Sequence, residues 1–256
     1  MNELRTIIGS RVLTSLRING VYVPANSLTS VLQSYTAPAL FHSDGFGKYH
    51  LSKSGSLFKV KTQGRYFCLV SAHQVLAPSA GYDHEQLCLH NPTSGKVVTS
   101  HRVIFPNDDP GFGYDVLLYE FTECVEAKKL YATDWFKIGR KQFSEAVPKP
   151  SKAVSIGYPS FRNTFDYEES KYAIGPNAVW GEEVEPKVNG RLAFAPMPEI
   201  SFDPSGMSGA PVFGIYLNEL EPALFFAGLL TNASPKVFNF ISRTRLAHVI
   251  EDALAS

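Results

Sequence analysis

The sequence predicts an all-β fold built in two halves and closed by a C-terminal helix. Three observations carry that expectation. Short apolar segments recur with turn signals between them from residue 38 onward, which is the pattern of a barrel or a sandwich. The chain holds 18 Phe and 12 Tyr, which favour strands, together with 19 Gly and 17 Pro, which punctuate them. The pattern breaks over residues 122–150, where charge rises and the run ends in Pro148-Lys149-Pro150.

Residues 1–36 read as an N-terminal extension. Leu4, Ile7, Ile8 and Val12 have helical spacing that Gly9 interrupts, and Asn19-Gly20 between Leu16-Arg17-Ile18 and Val21-Tyr22-Val23 is a hairpin signal. Residues 37–121 form the first half, with strands expected at 39–42, 48–51, 56–61, 65–71, 86–90, 96–104 and 115–121. Asp44-Gly45, Ser54-Gly55, Gln63-Gly64 and Thr93-Ser94-Gly95 supply turns between them. Residues 122–150 read as a linker. The second half, 151–241, has strands expected at 153–158, 172–174, 191–195, 210–216, 223–231 and 237–241. Residues 242–256 form the closing helix: Ser242 caps it, and Leu246, Val249, Ile250, Ala253 and Leu254 make one apolar stripe.

Composition excludes several functions. Lys plus Arg and Asp plus Glu both total 24, so the formal charge is zero. Nucleic-acid and anionic-membrane binders advertise an excess of basic residues, so neither partner is expected. With 44% hydrophobic residues the chain has enough apolar surface for a sizeable core. The three cysteines, Cys68, Cys88 and Cys124, are odd in number and widely spaced, which does not suit a disulfide framework. No signal-peptide pattern opens the chain and its longest apolar run, 222–230, is too short for a bilayer, so a cytoplasmic location is expected. His84, Cys88 and His90 lack zinc spacing, Asp108-Asp109-Pro110-Gly111 reads as a turn, and no phosphate-binding glycine motif is present. No metal and no cofactor are expected.

Three segments carry chemistry. In Cys68-Leu69-Val70-Ser71-Ala72-His73 an apolar strand ends in a small-residue turn and a His. In Gly113-Tyr114-Asp115-Val116-Leu117-Leu118 an Asp heads an apolar strand. In Gly206-Met207-Ser208-Gly209-Ala210-Pro211-Val212 a Ser sits among small residues before another. A Ser hydroxyl is a weak nucleophile until a base takes its proton, and His does this near neutral pH. A buried carboxylate fixes the imidazole tautomer and stabilises the imidazolium that forms. Small residues let a carbonyl approach and leave backbone N–H groups free to face an oxyanion.

These segments resemble the His, Asp and Ser motifs of the trypsin-like, chymotrypsin-fold serine peptidases, in that family's order. The likeness covers residues 38–256 and is to compact bacterial stand-alone members without disulfides. It implies two antiparallel six-stranded β-barrels with a cleft between them and a C-terminal helix. It also implies that His73 is the general base, Asp115 orients it, Ser208 is the nucleophile, and the N–H groups of Gly206 and Ser208 form the oxyanion hole. Thr231, Asn232 and Ala233 would pair with a polypeptide substrate as an added strand. Phe202 falls near the floor of the primary specificity pocket, and Lys236 near its wall, where an inward ammonium would favour an acidic residue.

Two departures stand out. Met207 occupies the position where secreted members carry the Asp that receives a freshly cut N-terminus, so the likeness of Arg5-Thr6-Ile7-Ile8-Gly9 to an activation site has no carboxylate to complete it. Ala210 replaces a Gly after the Ser. A catalytically silent member that binds a peptide or partner is the competing function. An α/β-hydrolase fits poorly, because Ala210 breaks G-x-S-x-G and the strands lack intervening helices. Restraint of such an enzyme is expected from an unformed cleft or from residues 1–36 covering it.

Overall fold

A computed structural model gives the fold and describes residues 15–42, 51–76, 84–91, 94–106, 115–139, 152–166, 171–217 and 222–255. The helical spacing at Leu4–Val12, the strand start at 48–50 and the turns at 44–45 and 108–111 lie outside those residues, as do Thr93, Gly113, Tyr114 and the 148–150 run.

The N-terminal hairpin forms where Asn19-Gly20 indicates. Strands β1 (Ser15–Ile18) and β2 (Val21–Pro24) pair antiparallel, with Asn19 and Gly20 at φ 50° and 87°. Helix α1 (Leu28–Gln33) follows and buries Leu28 and Leu32, one turn apart. The Asn19 side chain pins the hairpin: it donates to the Tyr35 hydroxyl and the Trp135 carbonyl, and accepts from the Lys137 N–H at 2.8 Å.

In the first half come β3 (Thr36–His42), β4 (Leu51–Thr62), β5 (Arg65–Val70), α2 (Ala72–Val75), β6 (Leu87–His90), β7 (Val97–Thr99), β8 (Arg102–Ile104) and β9 (Leu117–Glu120). Then α3 (Thr122–Glu126) leads to β10 (Phe136–Lys137), which pairs parallel with β4, so the described linker residues complete the first sheet. The sheet order is β7-β6-β3-β4-β5-β9-β8, a curled, open half-barrel. The closed first barrel implied above is therefore corrected. The expected 96–104 strand breaks into two three-residue pieces that lie at opposite ends of the sheet. Between them the Ser100 N–H bonds the Leu87 carbonyl and the His101 N–H bonds the Glu120 carbonyl. Each of these residues extends the ladder on its own side, so the covalent chain spans the gap without a ladder.

The second half contains β11 (Lys152–Gly157), β12 (Asn163–Asp166), β13 (Lys171–Ile174), β14 (Asn177–Val184), β15 (Leu192–Pro196), β16 (Pro211–Leu217), β17 (Pro222–Ala233) and β18 (Phe238–Ser242). Six of these close a barrel in the order β11-β14-β15-β18-β17-β16, while β12 and β13 form a separate hairpin. Strand β14 was not expected, because the run Gly181-Glu182-Glu183 hides its buried residues. Helix α4 (Arg243–Ala255) closes the fold, with Ser242 Oγ accepting from the Arg245 N–H; of the expected stripe Leu246, Val249, Ile250 and Ala253 are buried and Leu254 partly so.

One apolar cluster joins the halves. Phe58 of β4 packs against Phe213 and Phe226 of the barrel at ring-centroid distances of 5.7 and 4.8 Å, and Leu28, Leu32, Leu246 and Ile250 belong to the same cluster. Leu16, Ile18, Val23 and Tyr35 belong to it as well, so the N-terminal segment contributes to the joint core. Each half also has its own cluster, around Phe41, Tyr119 and Trp135 in the first and Phe194, Met207 and Phe238 in the second. Cys68, Cys88 and Cys124 are free thiols, and burial pushes the Cys68 thiol up. No helix among the described residues is long and apolar enough to cross a membrane.

A polar tie reinforces the closure. Arg65 grips Glu120 with two hydrogen bonds of 2.8 and 2.7 Å and reaches the Ala253 carbonyl of α4 at 3.0 Å. Burial pushes the Glu120 carboxyl up, but hydrogen bonds from Arg65 and Thr122 and the Arg65 charge outweigh it and hold the carboxyl below its usual range. A depressed carboxylate contributes stability above the unfolded value of about 4.3 and loses it as pH falls through the folded value. Glu120→Gln should lower the unfolding free energy at pH 7 by about 3 kcal/mol and flatten the acid limb of stability against pH, read by urea denaturation. Parallel acid limbs in variant and wild type would show that the pair does not stabilise the fold.

Candidate active site

The His and Asp segments meet as their order along the chain suggests. Strand β5 delivers Ser71 and His73 at its end, and Asp115 stands just before β9, the neighbour of β5. The His73 Nδ1 lies 2.7 Å from Asp115 Oδ2, and the His73 backbone N–H donates to Oδ1 at 2.8 Å. A carboxylate only accepts, so Nδ1 carries the hydrogen and Nε2 presents a lone pair. The Ser71 hydroxyl lies 3.1 Å from Oδ2 and 2.9 Å from Nδ1, flanking the contact between acid and imidazole. The Asp115 side chain is 14% exposed and that of His73 48%, so the acid is sheltered and the base is open.

A further charge acts on this pair. Burial pushes the Arg191 guanidinium down from its usual range, the Asp115 charge pulls it up, and the like charge of Arg245 pushes it down again. Arg191 is thus close enough to Asp115 for their charges to couple.

The Ser208 loop sits between β4 and β17. The Ser56 N–H of β4 donates to the Ser208 carbonyl at 2.9 Å, and the Gly209 N–H donates to the Leu230 carbonyl of β17 at 2.8 Å. The approach is tight, since a Cβ on Gly209 would stand 2.0 Å from the Ser56 carbonyl oxygen and 3.2 Å from the Ser71 nitrogen. The Ser loop therefore abuts the turn that carries His73. The Met207 side chain is fully buried in the second-barrel cluster, so apolar packing anchors the loop just before Ser208. Ala210 is accommodated by Gly157, where an added Cβ would come within 2.9 Å of the Ala210 methyl.

Within the loop, backbone N–H groups alternate in use. The Ser205 N–H bonds Asp203 Oδ1 and the Met207 N–H bonds the Pro204 carbonyl. The N–H groups of Gly206 and Ser208 donate to nothing among the described residues. Gly206 has φ +90°, a conformation that favours glycine, and the Ser56 hydroxyl holds its carbonyl at 2.8 Å. The same Ser56 oxygen accepts from the Tyr158 N–H at 2.8 Å. The Ser208 hydroxyl donates to the Thr231 carbonyl at 2.6 Å, and among the described residues no hydrogen bond joins it to the His73 ring.

The other sequence-derived positions divide. Thr231 touches Ser208, while Asn232 and Ala233 continue along β17 and pair with Asn239 and Phe238 of β18. Phe202 is half-buried and packs on Phe161, with ring centroids 4.7 Å apart. Lys236 lies exposed in the turn between β17 and β18, where Ser234 Oγ accepts its N–H. His84 faces the Phe105 ring, the Cys88 thiol donates to the Gln86 carbonyl, and among the described residues no three His, Cys, Asp or Glu side chains converge.

Sequence reasoning missed the roles of Ser56 and Ser71, of Arg191, and of Lys53, described below. Ser56 was detectable as a polar residue in register with the inward Phe58 and Val60. Compared with known proteins, the chain matches no family model, and no curated protein matches its sequence.

Ser56→Ala removes the hydrogen bond to the Gly206 carbonyl and strands the Tyr158 N–H. Urea denaturation should show a loss of about 1–3 kcal/mol. A loss below the error of the measurement would mean that water or a local shift satisfies both groups.

Proposed function

We propose that the chain is a serine endopeptidase of the trypsin-like class, with the curled sheet and the barrel as its two chymotrypsin-like halves. The observation that carries this reading is the joint arrangement of the His73–Asp115 pair and a Ser208 loop in which only the Gly206 and Ser208 N–H groups are left undonated.

The chemistry follows from those groups. Ser208 Oγ turns from the Thr231 carbonyl towards His73, a change that gives up one neutral hydrogen bond of about 1 kcal/mol. It attacks the scissile carbonyl carbon as His73 Nε2 takes its proton. Asp115 steadies the imidazolium, and the Gly206 and Ser208 N–H groups receive the developing oxyanion. The C–N bond then breaks, and the leaving amine takes the proton from His73. Water repeats the sequence on the acyl-enzyme and frees Ser208. The acyl portion of a polypeptide pairs along residues 231–233 of β17. No metal or cofactor takes part in these steps.

A second reading has its own observation. The Ser208 hydroxyl is engaged with Thr231 rather than with His73, which suits a silent fold that binds a peptide without cutting it.

A fluorophosphonate separates the two readings. Wild type should be labelled and Ser208→Ala should not. His73→Ala and Ser208→Ala should each lower turnover by similar large factors, and the double variant should be no worse than either, because the residues act as a unit. An unlabelled wild type removes the peptidase reading in favour of the binding module. Unequal single losses that multiply in the double variant remove the triad.

A further inference from the structure

The surroundings of Gly206 hold a cation that the proposed chemistry does not use. Lys53, on β4, directs its ammonium into the loop that carries Ser208. Its Nζ donates to the Tyr158 carbonyl, and a Cβ placed on Gly206 would lie 2.9 Å from that nitrogen. The same point is 2.8 Å from the Ser160 hydroxyl, whose residue is tied to the loop by a 2.7 Å hydrogen bond from its N–H to the Ser205 carbonyl. An ammonium and a hydroxyl thus converge on one face of Gly206.

Neither donor is used up. Among the described residues no carboxylate pairs with Lys53, and the Ser160 hydroxyl makes no hydrogen bond. Burial pushes the Lys53 ammonium down to about 8, with no opposing charge to restore it. At neutral pH the group still holds its proton. A half-buried ammonium with two free N–H bonds is a strong attractor for an anion, because its own desolvation is already in place.

The side of the site is set by topology. The Ser208 loop is held by β4 through Ser56 on one flank and by β17 through Leu230 on the other. In the peptidase reading, on which this inference rests, the acyl portion of the substrate lies along β17. The leaving portion then departs over the opposite flank, where Lys53 stands three residues before Ser56.

We infer that Lys53 and Ser160 form a carboxylate-binding subsite on the leaving-group side of Ser208, so that the preferred substrate carries a carboxylate just after the scissile bond. Two sources supply that group: an Asp or Glu side chain, or the free C-terminus of a short leaving peptide.

The test uses quenched peptides built on a sequence that wild type cleaves. One has Glu directly after the scissile bond and an amidated end, and a second has Gln there with the same end. The third has the Gln peptide shortened to end in a free carboxylate two residues past the bond. Wild type should favour one of the carboxylate peptides over the amidated Gln peptide by roughly tenfold in kcat/KM. The favoured peptide identifies the source. Lys53→Met should bring the ratio close to one, and Lys53→Arg should keep most of it. Near-equal cleavage of all three by wild type overturns the subsite without need of any variant, as does a preference that survives Lys53→Met. Fluorophosphonate labelling of wild type keeps the outcomes apart: a labelled enzyme with no carboxylate preference loses the subsite alone, and an unlabelled one loses the peptidase reading.

Discussion

The arrangement around Ser208 depends on one buried serine of the opposite half. Ser56 donates its N–H to the Ser208 carbonyl and its hydroxyl to the Gly206 carbonyl, and accepts from the Tyr158 N–H. With both carbonyls held, the Gly206 and Ser208 N–H groups donate to nothing among the described residues. The residues of this clamp are all buried, so a missing partner leaves polar groups poorly served by solvent. The position also leaves no room for a larger neighbour, since Gly209 passes the Ser56 carbonyl too closely for a Cβ.

The clamp holds because the two halves do not pack as independent units. Phe58 lies two residues beyond Ser56 on the same face of β4, and its ring meets Phe213 and Phe226 across the boundary. The N-terminal hairpin and α1 fill the same joint core through Leu16, Ile18, Leu28 and Leu32. A wedge with that much buried apolar surface contributes several kcal/mol to docking the halves. Apolar side chains of residues 15–35 thereby pack in the cluster that joins β4 to the barrel.

Much of the candidate site was legible because acyl transfer restricts residue type. A His after a strand, an Asp before one and a Ser among small residues are separable signals, and they fall in one order. The supporting groups were not legible for the opposite reason. Ser71 and Ser56 are common residues in strand contexts, and only three-dimensional proximity gives their hydroxyls a role. Lys53 falls between two expected strands in the sequence, and the groups it approaches, Tyr158 and Ser160, lie more than 100 positions away. In the fold, short apolar runs between turn signals found β5, β16 and β17. The Gly181-Glu182-Glu183 run concealed β14, and no Gly or Pro within 96–104 marked the break between β7 and β8.

The separation of these partners along the chain has a temporal consequence. Ser56 and Gly206 lie 150 residues apart, and Arg65 and the Ala253 carbonyl 188 apart. At ribosomal rates the first half waits roughly 10–30 s for the segment that completes the clamp. During that interval the nascent chain displays His73 and Asp115 with no serine loop to serve. The arrangement that joins the His73–Asp115 pair to the Ser208 loop is therefore incomplete until the second half has been made.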